Sequence, residues 1–400
     1  KIYFIKIMFK NIIKANKNLK KYILRTPTKY SNALSELVNR NIYVKYENFQ
    51  HTGSFKYRGA LNKILSLSSK ERKQGVIAMS AGNHAQGVSL ACKLLKIKAV
   101  IVMPNNTPFE KIRRNLELGA KVEIFGDNVL ESEKYVNKLV KNFGYNKVHP
   151  FDDMNVINGQ GTLMIEMLED APQIDTLLIP VGGGGLLSGC SIVAKSKKKN
   201  IKIIAVQSEN FPSFYNSFYK KKYSFSSGSV AEGIAVKKIG TINSKILNKN
   251  VDKCVLVKEK KIEEAISHFL MKDKTLVEGA GAAGLAAILE GKIPKSSKNI
   301  GLVACGGNLD SRVLSSLLMR ELVRKKKILT LSIDMDDKPG QLNQISILCS
   351  QEKINILEVE HSRFTLDLSV RAARLNITLE TRDEDHAKVI INKIKKLGFK

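Results

Sequence analysis

The sequence lacks tryptophan, paired cysteine motifs and long apolar runs, and each absence excludes a class of protein. Its five cysteines, at positions 92, 190, 254, 305 and 349, are odd in number and include no CxxC pair. This spacing argues against a disulfide framework and a zinc site, so we expect a reducing, cytoplasmic location. Because no run of about 18 apolar residues occurs, we also expect no membrane-spanning helix.

Acidic residues are scarce in most of the chain, which has 66 Lys and Arg, 37 Asp and Glu, and a formal net charge of +29. Residues 328–400 hold 11 basic and 11 acidic residues, so the excess lies in residues 1–327. Basic clusters at 197–199, 220–222 and 324–327 fall at predicted helix ends and loops. They lack the basic stripe and stacking aromatics of a nucleic-acid site, so we expect a solvated surface and no nucleic-acid partner.

The first 25 residues form a basic extension with eight Lys and Arg and no acidic residue. A transit peptide would contain serine, and a secretory signal would contain an unbroken apolar stretch, so neither is expected. A surface helix is predicted at 11–21. Met8 is an alternative start, which would make residues 1–7 extraneous.

Short apolar runs alternate with longer helical runs through the middle of the chain. Strands are predicted at 75–80, 99–103, 121–125, 176–180, 201–206 and 299–304. Helices are predicted at 84–96, 108–118, 129–142, 186–195 and 260–271. Strand–helix repetition with continuous apolar strands indicates α/β architecture, with parallel sheets covered on both faces. Ligands in such folds bind at the carboxyl ends of strands.

The first β-rich run lies at residues 42–49. It is followed by the motif TGSFKYRGA at 52–60, which contains Lys56. Ser54 is a candidate N-cap for the next helix, which would put Lys56 in the first helical turn. The positive end of the helix dipole favours the neutral amine there. A neutral amine can form a Schiff base with an aldehyde cofactor, and an ordinary surface lysine is the alternative.

Glycine-rich motifs follow three of the predicted strands: SAGNHAQG at 80–87, PVGGGGL at 180–186 and VACGGN at 303–308. The four glycines predict a nest of backbone N–H groups for a phosphate, and a flexible linker is the alternative. Taken with the lysine, these motifs suit pyridoxal phosphate: an amine for the aldehyde, Asn83 for the phenolic oxygen and Cys305 for the ring nitrogen. A further small-residue helix start, at 277–284, contains a single charge, Glu278, which we interpret as a helix-dipole partner.

The motifs resemble those of the pyridoxal-phosphate-dependent threonine (serine) dehydratases, or threonine ammonia-lyases, from about residue 23 to the end. They lie at 53–59, 80–87, 149–153, 158–162, 180–186 and 278–282. The resemblance implies the fold type II, tryptophan-synthase-β-like architecture, with two parallel-sheet subdomains, for residues 26–322. It also implies elimination of water from L-threonine or L-serine to give 2-oxobutanoate or pyruvate and ammonia, in isoleucine biosynthesis or threonine catabolism.

The resemblance also implies a role for each site residue. Lys56 would be the catalytic lysine, which forms the Schiff base and removes the substrate α-proton. The other cofactor contacts would be Phe55 beside the ring, Asn83 at the ring hydroxyl, Cys305 at the ring nitrogen, and Gly182, Gly183, Gly184, Gly185 and Leu186 at the phosphate. The substrate carboxylate would bind to Ser80, Ala81, Gly82, Asn83 and His84, at a helix N-terminus.

Four positions depart from patterns in this group of enzymes. Cys305 stands where serine is common, and Glu232 stands where aspartate is common. The similar serine racemases tend to have serine at the position of Ala81, where it reprotonates the opposite face of the substrate, so Ala81 favours elimination. Gln207 replaces their metal-binding carboxylate, so no metal is predicted.

Residues 328–400 form a separate, neutral segment. Strands are predicted at 328–334, 354–364 and 366–379, and helices at 341–351 and 385–397. This β-α-β-β-α order is ferredoxin-like and resembles an ACT domain, a regulatory module that binds amino acids. The resemblance implies an amino-acid or nucleotide effector and a homodimer or homotetramer. A dimerisation domain without a ligand is the alternative.

Overall fold

A computed structural model describes residues 2–363 and 367–399, with side chains described from residue 6 onward. Contacts divide the chain into two compact units, Lys1–Leu309 and Asp310–Lys400. The predicted domain boundaries at 25, 322 and 328 stay predictions. Among the described residues, no helix combines the length and apolarity needed to cross a membrane.

The first unit alternates helices and strands. Its helices are α1 (Ile2–Leu19), α2 (Asn32–Val38), α3 (Lys56–Leu65), α4 (Ser69–Gln74), α5 (Asn83–Leu95), α6 (Phe109–Glu117), α7 (Val129–Phe143), α8 (Met154–Asp170), α9 (Gly185–Lys197), α10 (Ser213–Tyr219), α11 (Thr241–Asn250), α12 (Glu259–Met271) and α13 (Gly279–Leu289). Its strands are β1 (Thr28–Tyr30), β2 (Asn41–Tyr46), β3 (Val76–Met79), β4 (Ala99–Met103), β5 (Lys121–Ile124), β6 (Asn146–Lys147), β7 (Thr176–Pro180), β8 (Lys202–Ser208), β9 (Lys253–Val257) and β10 (Asn299–Ala304).

These strands form two sheets. The larger has the order β1-β2-β10-β7-β8-β9 and is parallel except for the β1–β2 pair, and the smaller has the parallel order β5-β4-β3-β6. Every residue of β4 and β7 is buried, as expected for strands with helices on both faces. The six predicted strands are confirmed as β3, β4, β5, β7, β8 and β10, whereas β1, β6 and β9 were not predicted.

Close helix packing fixes α3, the helix that begins at Lys56. A Cβ added to Gly59 on α3 would lie 2.8 Å from the carbonyl oxygen of Val156 on α8. A Cβ added to Gly159 on α8 would lie 2.5 Å from the carbonyl oxygen of Arg58. These glycines let the two helix backbones approach, and α8 therefore supports the start of α3.

The basic N-terminal segment forms a longer helix than predicted, and one face of it is buried. Met8, Ile12, Ala15 and Leu19 of α1 recur at helical spacing and are buried. This face packs mainly against α8 and α9. The helix is therefore amphipathic, with its lysines on the other face.

The second unit contains α14 (Ser311–Arg324), β11 (Ile328–Asp336), α15 (Gln341–Gln351), β12 (Asn355–Ser362), β13 (Ala372–Glu380) and α16 (Glu384–Lys396). The antiparallel sheet has the order β11-β13-β12. Alternate residues of β13 are fully buried against α15 and α16, which confirms the predicted β-α-β-β-α order. The predicted strand end Phe364 and strand start Leu366 lie outside the described residues, and β13 begins at Ala372.

Candidate active site

The predicted motifs converge at the carboxyl ends of β3, β7 and β10. The segment before Lys56 pairs with the segment after β10: the Phe55 N–H donates to the Cys305 carbonyl at 3.0 Å, and the Gly307 N–H donates to the Gly53 carbonyl at 2.9 Å. The lysine motif and the cysteine motif therefore form one wall of the site, although about 250 residues separate them in the chain.

Lys56 is the first residue of α3 and is partly buried. Its Nζ donates to the carbonyl of Pro150 at 2.9 Å and lies 5.4 Å from the centroid of the buried Phe55 ring. Burial lowers the pKa of Lys56 from 10.5 to about 8, against the opposing effect of Cys305 and Glu278. The amine is therefore much more often neutral near physiological pH than an exposed lysine would be.

The predicted N-cap of this helix is wrong. Phe55, not Ser54, precedes α3, and its side chain makes no cap hydrogen bond. Ser54 is extended because it bridges to Gly306, and its buried Oγ has no partner within the described chain. Thr52, two residues before Ser54, adopts a left-handed conformation at φ 63° and ψ 12°. This conformation is unusual for a β-branched residue, and strained residues of this kind are frequent at functional sites.

The glycine-rich turn at 182–185 leads from β7 into α9 and is fully buried. Within the described part of the chain, the backbone N–H groups of 182–186 donate to no protein acceptor. Buried N–H groups are rarely left unpaired, so an anion is the natural partner of this nest at a helix N-terminus. A phosphate group fits that requirement.

The tight packing of this turn explains its glycines. Gly184 has φ +100°, and a Cβ on Gly183 would lie 2.3 Å from the Phe151 ring. Because Pro150, the residue before Phe151, accepts the hydrogen bond from Lys56, this segment joins the glycine turn to the lysine. The sequence identified residues 149–153 only as a motif that matches the family. The structure shows that this segment connects the glycine turn to Lys56.

We expect Gly183→Ala to weaken binding of a phosphate-bearing cofactor by roughly tenfold or more. The new methyl group must displace the Phe151 ring, and overpacking of this kind costs about 1–3 kcal/mol. Titration of cofactor-free protein with pyridoxal phosphate would measure the effect. Gly228→Ala is the matched control, since a Cβ there meets nothing within 4 Å. Equal affinities in both variants would contradict the assigned nest.

The 80–84 loop connects β3 to the N-terminus of α5. Gly82 precedes the helix without a capping side chain, and the N–H groups of Asn83 and His84 donate to no acceptor among the described residues. Burial lowers the pKa of His84 to about 3, so its ring is neutral, and its Nε2 lies 2.9 Å from the Val148 carbonyl. The Ser80 Oγ accepts from the Gly82 N–H at 3.1 Å. The loop therefore offers open N–H groups to a carboxylate.

The Asn83 side chain makes contacts that the sequence did not reveal. Its Nδ2 donates to both carboxylate oxygens of Glu278, at 2.8 and 3.0 Å, and its Oδ1 accepts from Asn308 Nδ2 at 2.7 Å. Glu278 is therefore more than a helix-dipole partner. Its isolation as the one charge in a small-residue run was the signal that could have indicated a site role.

Cys305 directly follows β10, at one side of the site, and is buried. Burial, and next the negative charge of Glu278, raise the pKa of its thiol well above the ordinary value. The thiol is therefore neutral, and a neutral hydrogen-bonding group suits an unprotonated pyridine nitrogen.

Gln207, at the position expected to replace a metal-binding carboxylate, uses both its side-chain oxygen and its side-chain nitrogen in hydrogen bonds within the protein. Its Oε1 accepts from the N–H groups of Phe214 and Tyr215, both at 2.9 Å, and its Nε2 donates to Ser213 Oγ at 3.1 Å. Among the residues that the structure describes, no cluster of three or more His, Cys, Asp and Glu side chains could hold a metal ion.

The assembled groups match one kind of cofactor. An amine with a lowered pKa, a buried nest of unpaired N–H groups, a carboxamide and a neutral thiol are the partners that a phosphorylated pyridine aldehyde requires.

Comparison with known proteins agrees with this geometry. Residues 19–306 match the family model described as pyridoxal-phosphate dependent enzyme, and residues 329–399 match the ACT domain model. The chain is 40% identical over 386 residues to the L-threonine ammonia-lyase of Thermotoga maritima, covering 96% of each protein.

Two solved structures show the same fold as the first unit. Serine racemase from Dictyostelium discoideum has a TM-score of 0.70 and 36% identity, over 75% of this chain and 98% of that one. The processed form of threonine deaminase isoform 2 from Solanum lycopersicum has a TM-score of 0.73 and 32% identity, over 78% of this chain and 88% of that one. The family, the fold class and the cofactor expected from the sequence are therefore confirmed. The chain belongs to the pyridoxal-phosphate dependent enzymes and carries a C-terminal ACT domain.

Proposed function

We propose that this protein is an L-threonine ammonia-lyase, which converts L-threonine to 2-oxobutanoate and ammonia and acts on L-serine to give pyruvate. The observation that carries the proposal is the likeness to an L-threonine ammonia-lyase over 96% of both chains, with the ACT domain included. The geometry around Lys56 supports it, because a partly buried amine with a lowered pKa can act as the base that elimination requires.

The site residues divide the proposed chemistry among them. Bound pyridoxal phosphate supplies an aldehyde for covalent attachment and a conjugated ring that withdraws electrons from the substrate α-carbon. The Lys56 Nζ accepts the α-proton, and the same amine returns a proton to the departing β-hydroxyl. Phe55 would pack beside the cofactor ring, Cys305 would hold the ring nitrogen, and Asn83 would hold the ring oxygen.

Backbone groups hold the two anions. The N–H groups of Gly182, Gly183, Gly184, Gly185 and Leu186 bind the phosphate. The Ser80–His84 loop, with the N-terminus of α5, binds the substrate carboxylate, which turns the α-carbon toward Lys56. Both sites use helix N-termini, where the dipole favours negative charge.

Racemisation of serine is the second candidate, because a serine racemase shares this fold at 36% identity. That reaction needs a second acid on the opposite side of the substrate from Lys56. Ala81, the residue at the position of the serine that reprotonates the substrate in racemases, has a methyl group and cannot supply a proton. Ala81 therefore favours elimination.

The test is to incubate purified protein with pyridoxal phosphate and L-threonine and to assay 2-oxo acid. Formation of 2-oxobutanoate supports the proposal. Its absence while the protein binds the cofactor would overturn it. With L-serine as substrate, D-serine without pyruvate on chiral chromatography would favour the racemase.

We expect the rate of covalent cofactor attachment to rise with pH and to level off above about pH 8. Only the neutral amine reacts, and burial lowers the pKa of Lys56 from 10.5 to about 8, so the neutral fraction is nearly complete at higher pH. Visible absorbance after mixing cofactor-free protein with pyridoxal phosphate would report the rate. A rate that still rises above about pH 10 would show an amine with the pKa of an exposed lysine.

We further propose that the C-terminal unit, residues 328–400, regulates the catalytic domain at 26–322 by binding an amino acid or a nucleotide, and that the enzyme is a dimer or a tetramer. Inhibition by isoleucine or valine would indicate a role in isoleucine biosynthesis, whereas activation by a nucleotide would indicate threonine catabolism. Activity titrations, with light scattering for the oligomeric state, would test both points.

A further inference from the structure

Hydrogen bonds connect four separate segments through the Asn83 side chain. Asn308 Nδ2 donates both to the Thr52 carbonyl and to Asn83 Oδ1, each at 2.7 Å, and Asn83 Nδ2 donates to Glu278. The carbonyl at one end and the carboxylate at the other are acceptors. Both amide nitrogens must therefore face the directions observed, and neither amide can rotate by half a turn without losing its contacts.

The network leaves one N–H of Asn83 free. The two oxygens of the Glu278 carboxylate lie closer to each other than to Asn83 Nδ2, so both occupy the direction of a single N–H bond. The second N–H meets no acceptor among the described residues. Asn83 is only partly buried and follows the open loop at the end of β3, so this N–H is available to a ligand oxygen.

We propose that Glu278 and Asn308 are positioning residues, which hold the Asn83 amide so that its free N–H points to the anionic ring oxygen of the cofactor. The inference rests on the proposed role of Asn83 and extends it to two residues that do not themselves touch the cofactor. Asn308 also fixes the left-handed Thr52 carbonyl four residues before Lys56 and packs against Gly53, where a Cβ would lie 2.9 Å from its Oδ1.

The charge of Glu278 fits this role. Burial raises the pKa of Glu278 to about 7, against the lowering effect of hydrogen bonds from Asn83 and the Asn308 backbone. A buried carboxyl group is costly without hydrogen-bond partners, and Asn83 and the Asn308 backbone supply them here. Near neutral pH it accepts from the amide without adding a full permanent negative charge beside the ring oxygen.

The experiment compares Glu278→Ala, Asn308→Ala and the isosteric Asn308→Asp with the full-length wild type. Titration of cofactor-free protein gives the pyridoxal phosphate affinity, and the absorbance maximum of the bound cofactor reports the bonding of its ring oxygen. Because loss of a hydrogen bond to a charged oxygen weakens binding by roughly tenfold or more, we expect a loss of that size and a shifted absorbance maximum. The KM for L-threonine should change much less than the cofactor affinity. Glu278→Gln keeps one acceptor oxygen and should fall between wild type and Glu278→Ala.

A double-mutant cycle separates positioning from a general structural effect. If Glu278 acts through Asn83, the double variant Asn83→Ala/Glu278→Ala should bind the cofactor no more weakly than Asn83→Ala alone. Additive losses, or wild-type affinity and absorbance in Glu278→Ala and Asn308→Asp, would overturn the inference. Glu117→Ala, an exposed site on α6, is the control.

Circular dichroism would verify folding, and Asn308→Asp and Glu278→Gln preserve side-chain volume if an alanine variant unfolds. Neither affinity nor absorbance requires turnover. Unchanged affinity and absorbance in the variants would therefore contradict only the positioning role of Glu278 and Asn308. Failure of the wild type to convert L-threonine would contradict only the proposed function.

Discussion

Replacing Lys56 with alanine is expected to lower 2-oxo acid formation from L-threonine by roughly 10³-fold or more while the protein stays folded. A general base contributes about 10²–10⁴-fold by itself, and the covalent link to the cofactor is lost as well. The fold should persist because the Lys56 side chain makes one hydrogen bond, to Pro150, whereas Tyr57, Leu61 and Ile64 pack α3 into the core.

Two further variants make the Lys56 result specific. Lys56→Arg keeps the positive charge but removes the nucleophilic amine, so it should be as inactive as the alanine variant. Lys70→Ala changes an exposed lysine on α4 and should leave activity unchanged. An added small primary amine should restore part of the activity of Lys56→Ala, because it supplies the missing base. Lys56→Ala protein that retained both wild-type visible absorbance and activity would refute the assignment.

The sequence predicted the fold wherever local pattern dominates. Strands β4 and β7 are continuous apolar runs followed by turn residues, and the structure buries every one of their residues. The sequence also predicted the glycine turn at 182–185 as an anion site, because the strand before it and the helix after it are both visible in the local pattern. Strand β9 was missed although Lys253–Val257 is also apolar, because a short run between helices can belong to either class.

Contacts between distant segments could not be predicted in this way. Asn83 and Glu278 are 195 positions apart, and neither residue type nor spacing shows that they share a hydrogen bond. Ser54 illustrates the opposite error. Its residue type favours an N-cap, but pairing with Gly306 extends its backbone and removes it from the helix start, so tertiary structure overrides the local preference.

Replacing Arg58 with methionine should destabilise the protein by about 3–5 kcal/mol, the cost of removing one partner from a buried ion pair. The Arg58 guanidinium is fully buried and donates to both oxygens of Glu47, at 2.8 Å each, and to Glu166 at 2.8 and 2.9 Å. The Lys45 Nζ also contacts Glu166, at 2.6 Å, so two cations balance two carboxylates. Without Arg58, two buried carboxylates would share one lysine.

Chemical denaturation would measure the loss, with Arg113→Met as the matched control. Arg113 pairs with Glu110 and Glu117 on the exposed face of α6, where an ion pair contributes about 0–1 kcal/mol. Arg58→Lys keeps the charge but cannot reach both carboxylates with a planar fork, so it should fall between wild type and Arg58→Met. A loss in Arg58→Met no larger than the loss in Arg113→Met would show that the buried network contributes little.

The effect of pH gives this prediction a second, independent test. Burial acts to raise the pKa of Glu166, but hydrogen bonds and charge from Arg58, with Lys45, outweigh it, and the net pKa is lowered. The wild type therefore loses this stabilisation as pH falls through the lowered pKa. In Arg58→Met, Arg58 no longer opposes the effect of burial, which raises the pKa of Glu166. Protonation of Glu166 then removes a buried charge, so acidification stabilises the variant relative to the wild type. The stability difference between the two proteins should therefore shrink on acidification, and the loss in the wild type should occur below about pH 4.5, the ordinary value for a glutamate. Arg58 lies two residues after Lys56, so its ion pairs with Glu47 and Glu166 also hold the catalytic amine at the start of α3. We therefore expect Arg58→Met to lose activity under conditions in which it is still folded.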